Sequence, residues 1–163
     1  MQEFVLLAGL PGSGKSTLSK RLKSEQGFFV VSSDSIRLAL NAGCYPRGDQ
    51  EGDYALLEPI VWELVQQAVA ALLKAGKNVA LDATNLTRSK RATWLTLARD
   101  VAPDVRCAIC WCTGNYDSPA RWANERGHSE EEYWIIRRRL EAAVEMPRAE
   151  ENAEVHFVPP LAT

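Results

Sequence analysis

The residues Gly9-Leu10-Pro11-Gly12-Ser13-Gly14-Lys15-Ser16 carry the spacing G-x-x-x-x-G-K-S near the start of the chain. Glycines at three of these positions let the backbone turn where a Cβ would obstruct it. Successive N–H groups can then converge on an anion, and a following helix aims its positive end at the same point. In this pattern Lys15 reaches the β- and γ-phosphates of a nucleotide, and the Ser16 hydroxyl ligates magnesium. Gly12, Ser13, Gly14, Lys15, Ser16 and Thr17 are therefore the expected nucleotide-binding set, with ATP and Mg2+ as cofactors.

Acidic residues supply the next chemistry. Asp34 lies in Ser32-Ser33-Asp34-Ser35-Ile36-Arg37. A carboxylate there can orient an acceptor hydroxyl and take its proton, or simply cap a short helix. Arg37 follows three residues later, one helical turn away, where it can hold a phosphate of the acceptor. Asp82 ends the apolar run Val79-Ala80-Leu81-Asp82, and a carboxylate at such a strand tip holds magnesium directly or through water. Thr84 and Asn85 follow it, where turn and capping chemistry is the plain reading. Arg88, Lys90 and Arg91 open the next helical stretch. Cations at a helix N-terminus oppose the macrodipole, so they suggest a polyanionic acceptor or else a solvated face. Arg137-Arg138-Arg139 reads as surface charge, and Trp62, Trp94 and Trp134 read as packing residues within helical apolar patterns.

The elements that must position these residues alternate between apolar runs and helical patterns, the signature of a parallel α/β sheet. Strands are expected at Glu3–Ala8, Phe28–Ser32, Asn78–Leu81, Val105–Cys112 and Glu154–Val158. Helices are expected at Lys15–Gln26, Ile36–Asn41, Asp53–Ala75, Ser89–Val101, Ser118–Glu125 and Glu130–Val144, with Cys44–Gly52 a loop. Pro59 falls in a first turn or at a kink, and Thr87 is the N-cap of the fourth helix. The fold class is α/β: a three-layer sandwich with a mostly parallel five-stranded sheet, helices on both faces and a helical lid. The chain reads as one domain over residues 1–163, the lid covering about 115–145. Ligands of such sheets bind outside the carboxyl ends of the strands, where Gly9–Ser16, Ser33–Arg37 and Asp82–Asn85 all fall.

Composition narrows the partners. The chain has 163 residues, 46% hydrophobic and 25% charged, with a net charge of −2. There is no global basic excess, so any nucleic-acid contact has to use a local patch. Cys107, Cys110 and Cys112 read C-x-x-C-x-C, but a second ligand pair at metal spacing is missing, and the run reads as a buried strand. No segment reads as a membrane span, and the acidic start does not fit a signal peptide. The expectation is a cytoplasmic protein with no membrane partner.

Together, Gly-Leu-Pro-Gly-Ser-Gly-Lys-Ser-Thr, Ser-Asp-Ser-Ile-Arg and Leu-Asp-Ala-Thr-Asn-Leu resemble the polynucleotide-kinase-type P-loop kinases over roughly residues 3–145. The resemblance implies ATP-dependent transfer of the γ-phosphoryl group to a hydroxyl, foremost the 5′-hydroxyl end of DNA or RNA. Kinases of small hydroxylated metabolites, nucleosides or antibiotics share the scaffold and remain the alternative. An acceptor-free ATPase switch is a further one, disfavoured by Asp34 and Arg37. By the same resemblance Asp34 is the general base, and Arg37 grips the acceptor phosphate. Asp82 organises the metal and acceptor region, Thr84 or Asn85 touches the acceptor, and lid arginines clamp the ATP phosphates. Such arginines usually stand four apart. Arg121 and Arg126 stand five apart, and the Arg-Gly ending favours Arg126.

Overall fold

The computed structural model describes residues 1–46, 52–114 and 119–160, and for Arg121 the backbone alone. Five strands, β1 (Glu3–Ala8), β2 (Phe29–Ser32), β3 (Val79–Asp82), β4 (Arg106–Cys112) and β5 (Glu154–Val158), form one sheet in the order β2-β3-β1-β4-β5. Every neighbouring pair is parallel. The sheet is thus wholly parallel where the sequence suggests mostly parallel. The chain leaves β1 for one side of the sheet and later returns to its other side. That makes the carboxyl end of β1 a topological switch point, with a crevice beside it.

Alternation along β1 divides the core. Phe4, Leu6 and Ala8 face one layer, built on α3 (Asp53–Lys74) and α4 (Arg88–Val101). Val5 and Leu7 face the other, under α1 (Lys15–Gln26). This period of two, buried on both faces, is what a central parallel strand demands. α3 packs through Val61, Val65, Val69 and Leu73, a stripe at four-residue spacing. By length and composition α3 is also apolar enough to cross a bilayer, which corrects the expectation that no segment is. Its buried stripe gives the apolar content a place in the core. Pro59 sits in the second turn of α3 rather than the first.

The second short helix begins earlier than the sequence suggests. α2 (Ser33–Leu40) is capped by Ser32, whose side chain accepts from Ser35 N–H, so Asp34 falls in its first turn. Thr87 caps α4 as expected, accepting from Lys90 N–H. Toward the end of the chain α5 (Pro119–Arg126) and α6 (Glu130–Ala142) pack together around Trp122, Ala123 and Tyr133. Ser129 closes a capping box with Glu132 at the start of α6. The expected helix start at Ser118, the beginning of the lid region and most of the Cys44–Gly52 loop lie outside the described residues. Trp134, 45% exposed, packs at an edge, its ring 5.1 Å from that of Tyr133. Among the described residues no group of three His, Cys, Asp or Glu side chains could hold a metal ion. The cysteines of β4 belong to the sheet.

Candidate functional site

Backbone constraints shape the loop between β1 and α1. Gly9 adopts φ 139°, and a Cβ there would lie 2.6 Å from both the Cys112 carbonyl oxygen and Ser13 Oγ. Gly14 caps α1 at φ 98°, with no side chain taking the cap position. Two outside contacts fix the loop. Gly9 N–H donates to Thr84 O at 3.0 Å, and Gly114 N–H donates to Ser13 O at 3.2 Å. Thr84 thus contributes a carbonyl that holds the loop. Gly114 is a partner the sequence reading missed: a Cβ there would stand 2.7 Å from Ser13 O.

Lys15 is buried, and its Nζ donates to Gly9 O at 2.9 Å and Leu10 O at 2.8 Å. Burial pulls its ammonium below the ordinary lysine value, against the pull of the Asp82 carboxylate. Asp82 is buried too, level with Leu7 of β1 and Ser32 of β2 in the sheet register. Burial pushes its carboxyl above the usual range, while Lys15 and the hydroxyls of Ser16 and Ser19 oppose the shift. Ser19 Oγ lies 3.1 Å from Asp82 Oδ2, a contact that no motif announces. Ser16 is exposed and next to Asp82, so a hydroxyl and a carboxylate stand side by side at the loop. These hard oxygen donors fit a magnesium ion that keeps most of its water. The glycine turns and the uncapped start of α1 fit a phosphate chain.

Asp34 holds two arginines. Arg37 Nη1 donates to its Oδ1 at 2.8 Å, and Arg126 Nη2, reaching over from α5, donates to its Oδ2 at 3.0 Å. Burial would raise this carboxyl, but Arg126 and then Arg37 outweigh it and hold the group below the ordinary aspartate value. Tyr45 also bonds to Asp34, and burial together with that carboxylate pushes its phenol up to about 12. The Arg126 guanidinium sits 5.0 Å from the Tyr45 ring centre and 4.7 Å from that of Trp122. Both Asp34 and Arg126 also act electrostatically on Lys15, so they share its surroundings.

Arg37 departs from the role the sequence suggests. Its Nε and Nη2 donate to the two oxygens of Glu58 on α3, at 2.9 and 2.6 Å, and Nη1 also reaches Ser33 Oγ at 3.1 Å. The fork expected to grip an acceptor phosphate is occupied by a carboxylate. Asn85, expected at the acceptor, is buried instead at φ 44°, its Nδ2 donating to Leu7 O at 2.8 Å. It fastens the β3 loop to β1. Of the basic trio on α4, Arg88 is exposed. Lys90 lies over the Trp62 ring at 5.9 Å. Arg91 is wholly buried on Glu151, so it belongs to the core and not to a polyanion patch. Arg137, read from sequence as surface charge, is mostly buried and donates to Pro11 O of the loop at 3.3 Å. The side chain of Arg121 lies outside the described residues.

Comparison with known proteins agrees with this fold. A family model described as an AAA domain, AAA_33, matches residues 4–145. A bifunctional polynucleotide phosphatase/kinase of Schizosaccharomyces pombe is 30% identical over 106 residues, 65% of this chain and 20% of that protein. The matched stretch is thus a fifth of that relative's length. Among solved structures, a kinase from Chloroflexus aurantiacus, itself assigned only by inference, superposes with a TM-score of 0.70 at 16% identity, covering 97% of this chain and 85% of the other. A Pnkp1/Rnl/Hen1 complex superposes at 0.53 with 27% identity, covering 78% of this chain and 40% of the other.

Proposed function

The chain belongs to the AAA_33 family of P-loop kinase domains, and on that footing we propose that it transfers the γ-phosphoryl group of ATP, with Mg2+, to the 5′-hydroxyl end of a DNA or RNA strand in the cytoplasm. The observation that carries the reading is Asp34, a carboxylate in the first turn of α2 held by Arg37 at 2.8 Å and, from α5, by Arg126 at 3.0 Å. In a loose phosphoryl-transfer transition state little covalent work falls to the protein, so positioning and charge dominate. Asp34 orients the acceptor hydroxyl and receives its proton. Lys15 and the loop N–H groups would hold the β- and γ-phosphates, and Ser16 and Asp82 would hold a magnesium ion, which would supply positive charge beside them. Arg126 follows the transferring group from the lid. Likeness to the fission-yeast polynucleotide phosphatase/kinase supports the nucleic-acid acceptor.

One observation favours a second reading, a kinase of a small hydroxylated molecule. Glu58 already engages the Arg37 fork that an acceptor phosphate would use. The two readings separate when a 5′-hydroxyl dinucleotide, a nucleoside 3′-phosphate, a bare nucleoside and simple sugars are offered with labelled ATP at one salt concentration. Preference for the dinucleotide supports the strand end. Transfer to sugars alone sinks it, and ATP consumption that ignores every acceptor points to a switch. Asp34→Asn should lower transfer by about 10²–10⁴-fold while ATP affinity stays near wild type.

A further inference from the structure

Arginine offers five N–H donors in a planar fork. In Arg37 the Nε/Nη2 edge faces Glu58, and Nη1 faces Ser33 and Asp34. A phosphate arriving at Asp34 therefore meets an edge already taken. Glu58 is the outer partner: its side chain is 24% exposed against 9% for Arg37. It is also held from its own helix. Trp62, four residues on, donates Nε1–H to Glu58 Oε1 at 2.7 Å, and the rings of Tyr54 and Trp62 stand 5.8 and 5.6 Å from the Arg37 guanidinium carbon. The contact is thus built by α3 against α2, with a partly solvated carboxylate in the place where a phosphate oxygen pair would dock.

We infer that Glu58 sets the site's selectivity for phosphate-bearing acceptors, by competing internally for the Arg37 fork. The inference rests on the reading of Asp34 as the group that orients the acceptor hydroxyl. A bare hydroxyl compound approaches Asp34 without disturbing the pair. An acceptor with a phosphate one linkage from its hydroxyl gains Arg37 only by displacing Glu58, so its advantage is the difference between two charge-assisted contacts. Phosphate geometry suits the fork as well as carboxylate geometry does, and a terminal monoester such as nucleoside 3′-phosphate carries more charge than the carboxylate.

Glu58→Gln tests this. The amide oxygen still accepts from Trp62, but the amide nitrogen cannot accept from Arg37. The kcat/KM ratio of nucleoside 3′-phosphate over bare nucleoside should rise on the order of 10-fold, carried by KM for the phosphorylated compound. Glu58→Asp, which keeps the charge but withdraws it by one methylene, should shift the ratio the same way by less, and it serves if the glutamine variant folds poorly. A merely structural Glu58 would lower both rates together, so an unchanged or falling ratio overturns the inference. Should the wild-type protein phosphorylate no nucleotide acceptor, the proposed acceptor class fails, and the Glu58 inference is judged by binding alone. Nucleoside 3′-phosphate titrated into ADP-loaded protein should then bind about 10-fold tighter to Glu58→Gln, and the gain should vanish in Glu58→Gln/Arg37→Met. Equal affinity in wild type and Glu58→Gln overturns it.

Discussion

Arg37 and Arg91 make nearly the same bond in two regions of the molecule. Each gives Nε and Nη2 to a glutamate: Arg37 to Glu58 at 2.9 and 2.6 Å, Arg91 to Glu151 at 2.7 Å on both arms. Each spends Nη1 nearby, Arg91 on the carbonyls of Asn85 and Leu86 and Arg37 on Ser33 and Asp34. The surroundings differ. The side chains of Arg91 and Glu151 are 0% and 4% exposed, under the turn that follows β3. Those of Arg37 and Glu58 are 9% and 24% exposed, at the mouth of the crevice. Water cannot replace a lost partner in the first pair. In the second it can. The same chemistry fastens the fold in one place and leaves an exchangeable contact in the other.

The largest effect should come from Arg91→Ala, which leaves the buried Glu151 carboxylate with only the Arg148 N–H at 3.2 Å and should cost about 3–5 kcal/mol in urea denaturation. A loss under about 1 kcal/mol would erase the contrast. Proton linkage sharpens it. Burial pushes Glu151 up, but Arg91 outweighs this and holds it below its ordinary value of 4.5. A depressed carboxyl stabilises the fold above its unfolded pKa and loses that contribution as pH falls through the folded one. Wild-type stability should therefore decline below about pH 4.5 more steeply than that of Arg91→Ala.

Arg37→Ala should cost less, about 1–2 kcal/mol, because Glu58 regains water. Its mark should be catalytic, a loss of transfer through an Asp34 no longer held on Oδ1. Equal destabilisation by the two arginine variants would mean that the crevice pair is as closed as the core pair.

Arg126→Ala should disturb stability least, by about 1 kcal/mol or less, yet lower turnover on the order of 10-fold. Arg126 is the strongest force holding Asp34 down against burial. Without it the Asp34 carboxyl rises, so the acid limb of the pH–rate profile should move to higher pH. A limb that stays in place would show that Asp34 does not govern it.

Local spacing made part of this site readable in advance. Asp34 and Arg37, three apart on a helix, do meet at 2.8 Å. The strand before the glycine loop and the helix after it fall at Glu3–Ala8 and Lys15–Gln26, the bounds the apolar pattern predicts. What lay beyond reading were contacts between distant segments. Glu58 stands 21 residues from Arg37, Arg126 stands 92 from Asp34, and Glu151 stands 60 from Arg91. Nothing in the residue types around them distinguishes these pairs from solvated charges. The basic trio at the start of α4 shows the ambiguity most plainly: Arg88 and Lys90 are exposed, and Arg91 is wholly buried.

By itself the sequence determined the alternation of strands and helices, the phosphate loop and the placing of Asp82 at a strand end, because each follows from short-range periodicity and backbone freedom. Only the tertiary structure decided which arginine faces which carboxylate. That choice depends on how α2, α3 and α5 close over the carboxyl ends of the strands, and on which charges this closure leaves without water.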